Sequence, residues 1–280
     1  MRLDLAIKQA AGRLESNARG DARRDAETLL MHVLGKDRAY LYAHPELELS
    51  CRELTRYNDF LERRARGEPL QYITGHQEFW GMDLLVTPAV LIPRPETEHV
   101  VETVLQLLRG SEFPRIIDVG TGSGCIALAL ASELPQARID AVDVSLAALQ
   151  VAHANAERLD LAQRVQFAQS DLLHKYLGGD QTFDMVVSNP PYVGEQEADK
   201  LQVEVRKHEP HCALFGGVQG LDIYSRLIPE ARQVLKSGGW LVLEIGYSQE
   251  QPLHRLLRDW SEVHSVADLK GIPRVVVARR

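Results

Sequence analysis

A short β-branched run that meets three glycines and then an Ala/Leu-rich stretch limits the possible fold more than any other segment. Arg115-Ile-Ile-Asp118-Val119 leads into Gly120-Thr121-Gly122-Ser123-Gly124, and Cys125-Ile-Ala-Leu-Ala-Leu130 follows. The first run reads as a strand and the last as the start of a helix, so the glycines form a strand-to-helix turn. Glycine lets a ligand approach the main chain closely, and a helix N-terminus offers free N–H groups. The spacing is G-x-G-x-G rather than the G-x-G-x-x-G of dinucleotide enzymes, because Cys125 fills the sixth position. A glycine turn alone is a weak signal. It gains weight from Ile139–Asp143, a second strand candidate ending in an acid about 20 residues on, where a ribose-binding carboxylate belongs. A third strand, Val165–Gln169, ends at Ser170-Asp171-Leu172, and a fourth, Phe183–Ser188, ends at Asn189. Strands with polar residues at their carboxyl ends follow the ligand-crevice rule of open α/β sheets.

The fourth strand ends in Asn189-Pro190-Pro191-Tyr192. Proline fixes φ, lacks an N–H and pushes the residue before it to extended ψ. Asn189 and Pro190 each precede a proline, so both are expected to be extended. The Asn189 side chain and the Pro190 carbonyl can then present two hydrogen-bond acceptors to an –NH2 group. A plain proline-rich turn is the alternative.

Together these motifs resemble the class I S-adenosylmethionine-dependent methyltransferases. The resemblance implies that Gly120, Thr121, Gly122, Ser123, Gly124 and Asp143 bind S-adenosyl-L-methionine, with Asp171 and Leu172 beside its adenine and Asn189 also against the cofactor. Asn-Pro-Pro-Tyr is that group's signature for methylating a planar nitrogen of adenine, cytosine or a glutamine amide. The implied substrate-binding residues are Asn189, Pro190, Pro191 and Tyr192, and the implied catalytic residues are Asn189, Pro190 and Tyr192. Further segments, Gly67–Gly75, Leu91–Glu98, His208-Glu209-Pro210 and Ala213–Gly217, are similar to motifs of the HemK/PrmC family. Its members methylate the glutamine of the Gly-Gly-Gln loop in peptide chain release factors. The implied fold is α/β, a seven-stranded, mostly parallel Rossmann-like sheet with a small N-terminal helical bundle. Three rival readings remain: a ribosomal-protein glutamine methyltransferase, a DNA or RNA amino-methyltransferase, and a binding module that has lost catalysis.

The 280 residues carry a net charge of −7, with 45% hydrophobic and 25% charged residues. That composition suits an ordinary globular core. The negative balance opposes a nucleic-acid partner, since phosphate contacts call for excess Lys and Arg. Arg52, Arg56, Arg63, Arg64 and Arg66 are interleaved with Glu53, Asp59 and Glu62, which reads as a solvated helix face. Neither a membrane span nor a signal peptide is evident. Cys51, Cys125 and Cys212 lie far apart with no metal-ligand spacing, pointing to a reducing cytoplasm. Cys125 reads as small packing behind the turn. The expected partner is a release factor, met by a monomer without direct nucleic-acid or membrane contact.

Residues 1–70 are expected to form a helical substrate-docking domain, 71–90 a linker with a short β-hairpin, and 91–280 the catalytic domain. Asp21 can cap a helix over Ala22–Leu34 that stops at Gly35, and Ser50 with Glu53 forms a capping-box pattern closed by Gly67. Leu29, Leu30, Val33 and Leu34 form one apolar stripe, and Leu54, Tyr57 and Leu61 another. Pro95 suits the first position of a helix running to about Leu108. From Tyr192 to about Val218 no periodicity is strong, so a lid or substrate-contacting loop is expected. A helix near Asp222–Leu235 is expected to end at Ser237-Gly238-Gly239, followed by a strand at Trp240–Ile245. Val263–Leu269 and Arg274–Ala278 should close the sheet as an antiparallel pair.

In the chemistry these residues imply, Asn189 and Pro190 accept from the substrate amide. Tyr192 packs on the amide plane, its ring mattering more than its hydroxyl. Arg94, fixed between two prolines, should make a set contact near cofactor or linker. Glu96, Glu98 and Glu209 could orient substrate or cofactor, or be surface acids.

Overall fold

Side-chain caps mark the helix ends in the first unit. In the computed structural model, which describes residues 1–15, 21–180 and 182–280, α1 (Leu3–Glu15) packs against α2 (Ala22–Leu34). Asp21 accepts from the backbone N–H groups of Arg23 and Arg24, both at 3.1 Å, and Gly35 closes the helix at φ 62°. After α3 (Arg38–Ala43), α4 (Cys51–Ala65) begins in the expected capping box. The Ser50 N–H donates to Glu53 at 2.8 Å, and the Glu53 N–H donates to the Ser50 hydroxyl at 3.3 Å. Such a cap is worth about 1 kcal/mol. α5 (Leu70–Thr74) completes the run.

Leu14, Leu29, Leu30, Tyr57 and Leu61 are the buried centre of this bundle, each side chain contributing roughly 1.5–3 kcal/mol. Val33, Leu34 and Leu54 pack around it partly exposed. The unit comprises Met1–His76 together with Gln202–His208. Arg64 ties the second stretch in, donating to Asp25 at 2.7 Å and to Glu204 at 2.6 Å.

The second unit is Gln77–Leu201 with Glu209–Arg280. A hairpin of β1 (His76–Phe79) and β2 (Met82–Leu85) occupies the segment read as a connector. Its turn residues, Trp80 and Gly81, have φ values of 54° and 70°, the left-handed pair of a tight hairpin. Pro95–Thr97 form a single 3-10 turn before α6 (Glu98–Leu107), so the α-helix starts three residues later than the proline signal suggested.

The chain then alternates β3 (Arg115–Val119), α7 (Cys125–Glu133), β4 (Arg138–Asp143), α8 (Leu146–Arg158), β5 (Val165–Gln169) and β6 (Phe183–Ser188). Two short helices, α9 (Val203–His208) in the first unit and α10 (His211–Leu214), follow a 3-10 turn at Glu195–Lys200. The segment expected as an irregular loop is therefore mostly short helical turns, none long enough to show a period. α11 (Asp222–Val234) runs straight into β7 (Leu235–Glu244). Ser237-Gly238-Gly239 thus lie inside the strand rather than ending a helix. The register between β6 and β7 shifts near Phe183 and Met185. α12 (Glu250–Leu256), β8 (Ser261–Ala267) and β9 (Pro273–Arg279) complete the unit.

The seven-stranded sheet has the order β5-β4-β3-β6-β7-β9-β8. Its first five members are parallel, and β9 joins β7 and β8 antiparallel. The expected seven-stranded, mostly parallel sheet with an antiparallel end and an N-terminal helical region is what the structure has. Strand residues alternate between two cores. Ile116, Met185, Val187 and Val242 face α6 and α7, whereas Ile117, Val186, Leu241 and Leu243 face α11 and α12. The chain runs outward from β3 through β4 and β5, then returns to β6 on the other side. That reversal opens a crevice at the strands' carboxyl ends.

Candidate active site

A cavity opens in that crevice. Its walls include Gly120, Thr121, Gly122, Ser123, Asp143, Asp171, Leu172, Asn189 and Pro191, with Leu91, Pro93 and Thr97 ahead of α6 and Cys212 and Ala213 on α10. Gly124, Pro190 and Tyr192 are absent from that lining. Pro190 is buried and Tyr192 half-buried behind it.

Main-chain conformation shapes the β3–α7 side. Gly120, Gly122 and Gly124 have φ values of 72°, 57° and 84°, where an L side chain costs roughly 1–2 kcal/mol. A Cβ on Gly120 or Gly122 would meet no protein atom within 4 Å, so both leave ligand space empty. At Gly124 it would lie 3.1 Å from Leu128 and 3.2 Å from Ala152, so this glycine serves helix packing. Beneath the turn, buried Asp118 accepts from the Thr121 hydroxyl at 2.7 Å, and burial pushes its carboxyl up to about 7. Asn155, fully buried on α8, holds the turn from outside. Its amide donates to the carbonyls of Ser123 at 2.9 Å and Leu85 at 3.0 Å, and accepts from the Leu85 N–H at 2.6 Å.

Asp143 ends β4 with one carboxylate oxygen accepting from the Gly122 N–H and the other from the Ser145 N–H, both at 2.9 Å. Burial raises its pKa, and these bonds oppose the rise. A carboxylate has about four lone-pair sites, so acceptor capacity remains for a vicinal diol. Asp171 accepts from Arg226 at 2.6 Å. Leu172 sits at φ 48°, a strain uncommon for leucine that is concentrated at functional sites. Cys125 borders the cavity, and burial pushes its thiol up to about 12, leaving it inert at neutral pH.

The β6 corner is held by side chains. The Asn189 amide nitrogen donates to the Thr97 hydroxyl at 3.1 Å. The Tyr192 hydroxyl, which the sequence left without a role, donates to Glu244 at 3.4 Å. Glu244 ends β7 at 2% exposure, and burial pushes its carboxyl up to about 7 against the opposing pull of the Thr97 and Tyr192 hydroxyls. Gln249 clamps the corner, donating to the carbonyls of Tyr192 at 2.9 Å and Gly220 at 3.0 Å. Sequence reasoning missed Thr97, Glu244, Gln249 and Asn155, because their partners lie far along the chain. Arg94 pairs with buried Glu209, Glu98 accepts from the Trp80 N–H at 2.9 Å, and Glu96 lies 3.9 Å from Arg274. Each has a protein partner that braces the loops around the cavity.

Residues 6–75 match the model of the PrmC N-terminal domain, and residues 97–207 that of the methyltransferase small domain. The chain is 54% identical over 280 residues to a release factor glutamine methyltransferase of Koribacter versatilis, covering 100% of this chain and 99% of the relative. The chain belongs to the release factor glutamine methyltransferase family. Members from Geobacter sulfurreducens and Moorella thermoacetica share 42% and 46% identity, each covering 92% of this chain and 90% of the relative.

Among solved structures, the hMettl16 catalytic domain bound to a 3′UTR hairpin superposes with a TM-score of 0.59 at 19% identity, over 86% of this chain and 92% of that one. A Pyrococcus furiosus methyltransferase gives 0.50 at 20% identity, over 71% and 89%. Both likenesses concern the fold. As a member of the glutamine methyltransferase family, this protein is an enzyme whose methyl donor is S-adenosylmethionine. The cavity fits that donor: empty space over two glycines, spare lone pairs on Asp143 and apolar walls at Leu91, Pro93 and Leu172.

Proposed function

We propose that this enzyme methylates the side-chain amide nitrogen of the glutamine in the Gly-Gly-Gln motif of a peptide chain release factor. The relatives' shared name supports the substrate class. The observation that carries the chemistry is the Asn189 amide, tied through its nitrogen to Thr97 on the wall of the cavity that contains the glycine turn and Asp143. With its nitrogen so engaged, Asn189 offers its oxygen.

The reactive atom is a poor nucleophile, because an amide lone pair is delocalised into the carbonyl. Bound S-adenosylmethionine supplies a methyl group on a positively charged sulfur. Gly120, Thr121, Gly122 and Ser123 would cradle it, Asp143 would accept from its ribose hydroxyls, and Asp171 and Leu172 would flank its adenine. The Asn189 oxygen and the Pro190 carbonyl would accept the two N–H bonds of the incoming carboxamide. These bonds strengthen as positive charge builds on the nitrogen, so they favour the transition state over the ground state. Holding two reactants in register can be worth up to roughly 7–11 kcal/mol. An N-methylated amide cation releases its proton readily, so a strong general base is unnecessary. Pro191 and the ring of Tyr192 would confine the amide plane.

Residues 1–70 would dock the release factor, 71–90 would serve as linker and 91–280 would carry the reaction. The net charge of −7 favours a protein substrate met without direct nucleic-acid contact, and we take the working form to be a monomer. The test is to incubate the enzyme with labelled S-adenosylmethionine and, separately, a purified release factor, ribosomal proteins and DNA, then map the label by peptide mass spectrometry. Label on the Gly-Gly-Gln glutamine is expected. Label on ribosomal protein or DNA alone would overturn the reading.

A further inference from the structure

We propose that a second cavity, at the amino ends of β3, β4 and β5, binds a small phosphate-bearing dianion. The cavity holds about 400 Å³, within the range of small-molecule sites. β3 spans Arg115–Val119, so roughly 13 Å of strand separates this cavity from the glycine turn. Methyl donor and anion would meet opposite ends of one sheet, and the second site is independent of the reaction proposed above.

The sheet register builds the cavity. Arg115 opens β3 and pairs with Arg138, which opens β4. Ile139 pairs with Val165, so Arg164, one residue earlier, extends the row beyond β4. Neighbouring strands lie about 4.8 Å apart, which sets the three arginines side by side, and all three border the cavity. Like charges directly opposite one another across strands are destabilising. Asp140 is the one acid among the described residues that borders the same cavity, although the whole chain carries a net charge of −7.

The protein itself uses these cations sparingly. Asp140 is buried and both its oxygens are engaged: one accepts from the Tyr176 hydroxyl at 3.0 Å, the other lies 3.5 Å from the Arg115 Nε. It anchors Arg115, whose guanidinium also lies 4.7 Å over the Phe183 ring. Both terminal nitrogens of Arg115 stay without a hydrogen-bond partner among the described residues. Arg164 donates to the carbonyls of Leu134 at 3.0 Å and Ala137 at 3.4 Å, which fixes its place without neutralising it. Arg138 is exposed and has no ion-pair partner among the described residues. Two positive charges are therefore unmatched. Arginine forks suit the paired oxygens of a phosphate, a cleft of one sign concentrates such anions, and Gln163 and Gln166 at the same cavity add amide donors.

Titration calorimetry of the full chain at pH 8 would test this with inorganic phosphate, ribose 5-phosphate and a short single-stranded RNA. One-site, saturable binding of a small anion is expected, and the tighter of the first two probes tells free phosphate from a phosphomonoester. Arg138→Ala, at an exposed position, should weaken that binding about tenfold or more. Arg109→Ala, an exposed arginine outside the cavity, should bind as the wild type does. The bound anion should raise the melting temperature of the wild type and not of Arg138→Ala, and S-adenosylmethionine affinity should be the same in all three proteins. The inference is overturned by no saturable binding of either small anion, by binding of the RNA alone, or by equal binding in Arg138→Ala. Displacement of the anion by S-adenosylmethionine would overturn it too, since that would place the anion in the cofactor crevice.

Discussion

The glycine turn after β3 and the diproline corner after β6 border one cavity, yet they are held by different means. At the turn, shape comes from the main chain: three glycines with positive φ, a Gly122 N–H fixed by Asp143 and a Ser123 carbonyl fixed by Asn155. At the corner the contacts are made by side chains, Asn189 on Thr97 and Tyr192 on a buried Glu244. A grip made of backbone tolerates changes of nearby side chains and fails when a Cβ is added. A grip made of side-chain hydrogen bonds fails when one partner is removed. The two should therefore be separable, the first in cofactor affinity and the second in turnover.

Asn189→Ala should separate them most strongly. By analogy with the loss of one transition-state hydrogen-bond partner, kcat should fall on the order of 10²–10³-fold, while calorimetry shows cofactor affinity nearly unchanged. Full activity in this variant would end the proposed chemistry.

Gly220→Ala probes the corner through its backbone. The added Cβ would lie 2.0 Å from the Tyr192 carbonyl oxygen, at φ 70°. Thermal melting should show a loss of about 1–3 kcal/mol, with the kinetic defect confined to kcat. Gly124→Ala is the counterpart at the turn. Its Cβ would press on Leu128 and Ala152, and it should weaken cofactor binding about tenfold at unchanged saturated rate. A kcat defect there would erase the contrast between the two regions.

The acidity of Glu244 gives a third handle. Burial pushes its carboxyl up to about 7, and the charged and titratable groups facing it are Glu96, Arg274, Tyr192, Tyr224 and Cys125. The native state holds that proton more tightly than the unfolded chain does. Its contribution to stability is thus full below the ordinary carboxyl range and is lost as pH rises through 7. Asp118, pushed to the same value, adds its own slope, so the comparison to make is wild type against Glu244→Gln. The melting temperature should therefore fall as pH rises through about 7. Glu244→Gln should reduce that trend.

Tyr192→Phe should have the smallest effect. It keeps the ring and removes one 3.4 Å hydrogen bond, worth about 1 kcal/mol, so kcat should drop by less than about tenfold. A larger loss would mean that the hydroxyl, and not the ring alone, serves turnover.

What could be read from the residues alone was what is local. The glycine turn, the acid ending β4, the caps at Asp21 and Ser50 and the closing strand pair each declare themselves within a few residues. Short apolar runs at β3, β6 and the second half of β7 marked strands of an α/β sheet. The start of β7 was missed because Ser237-Gly238-Gly239 has the composition of a turn, and the strand absorbs it beside a register shift. The short helices around Lys200–Leu214 lack the length for a periodic signal. Thr97, Glu244 and Asn155 gain their roles only when folding brings distant segments together. No local spacing announces a hydroxyl that meets an amide 92 positions further along the chain.

The stretch Gln202–His208 has a practical consequence. It groups with the helices of the first unit, and Arg64 anchors it through Glu204 while also gripping Asp25. A graft that exchanged only the amino-terminal 76 residues for those of a cousin would remove this guanidinium and leave Glu204 facing an unfamiliar partner, or none. Swapping the bundle therefore means transplanting two separate cassettes, with residues 77–201 left between them.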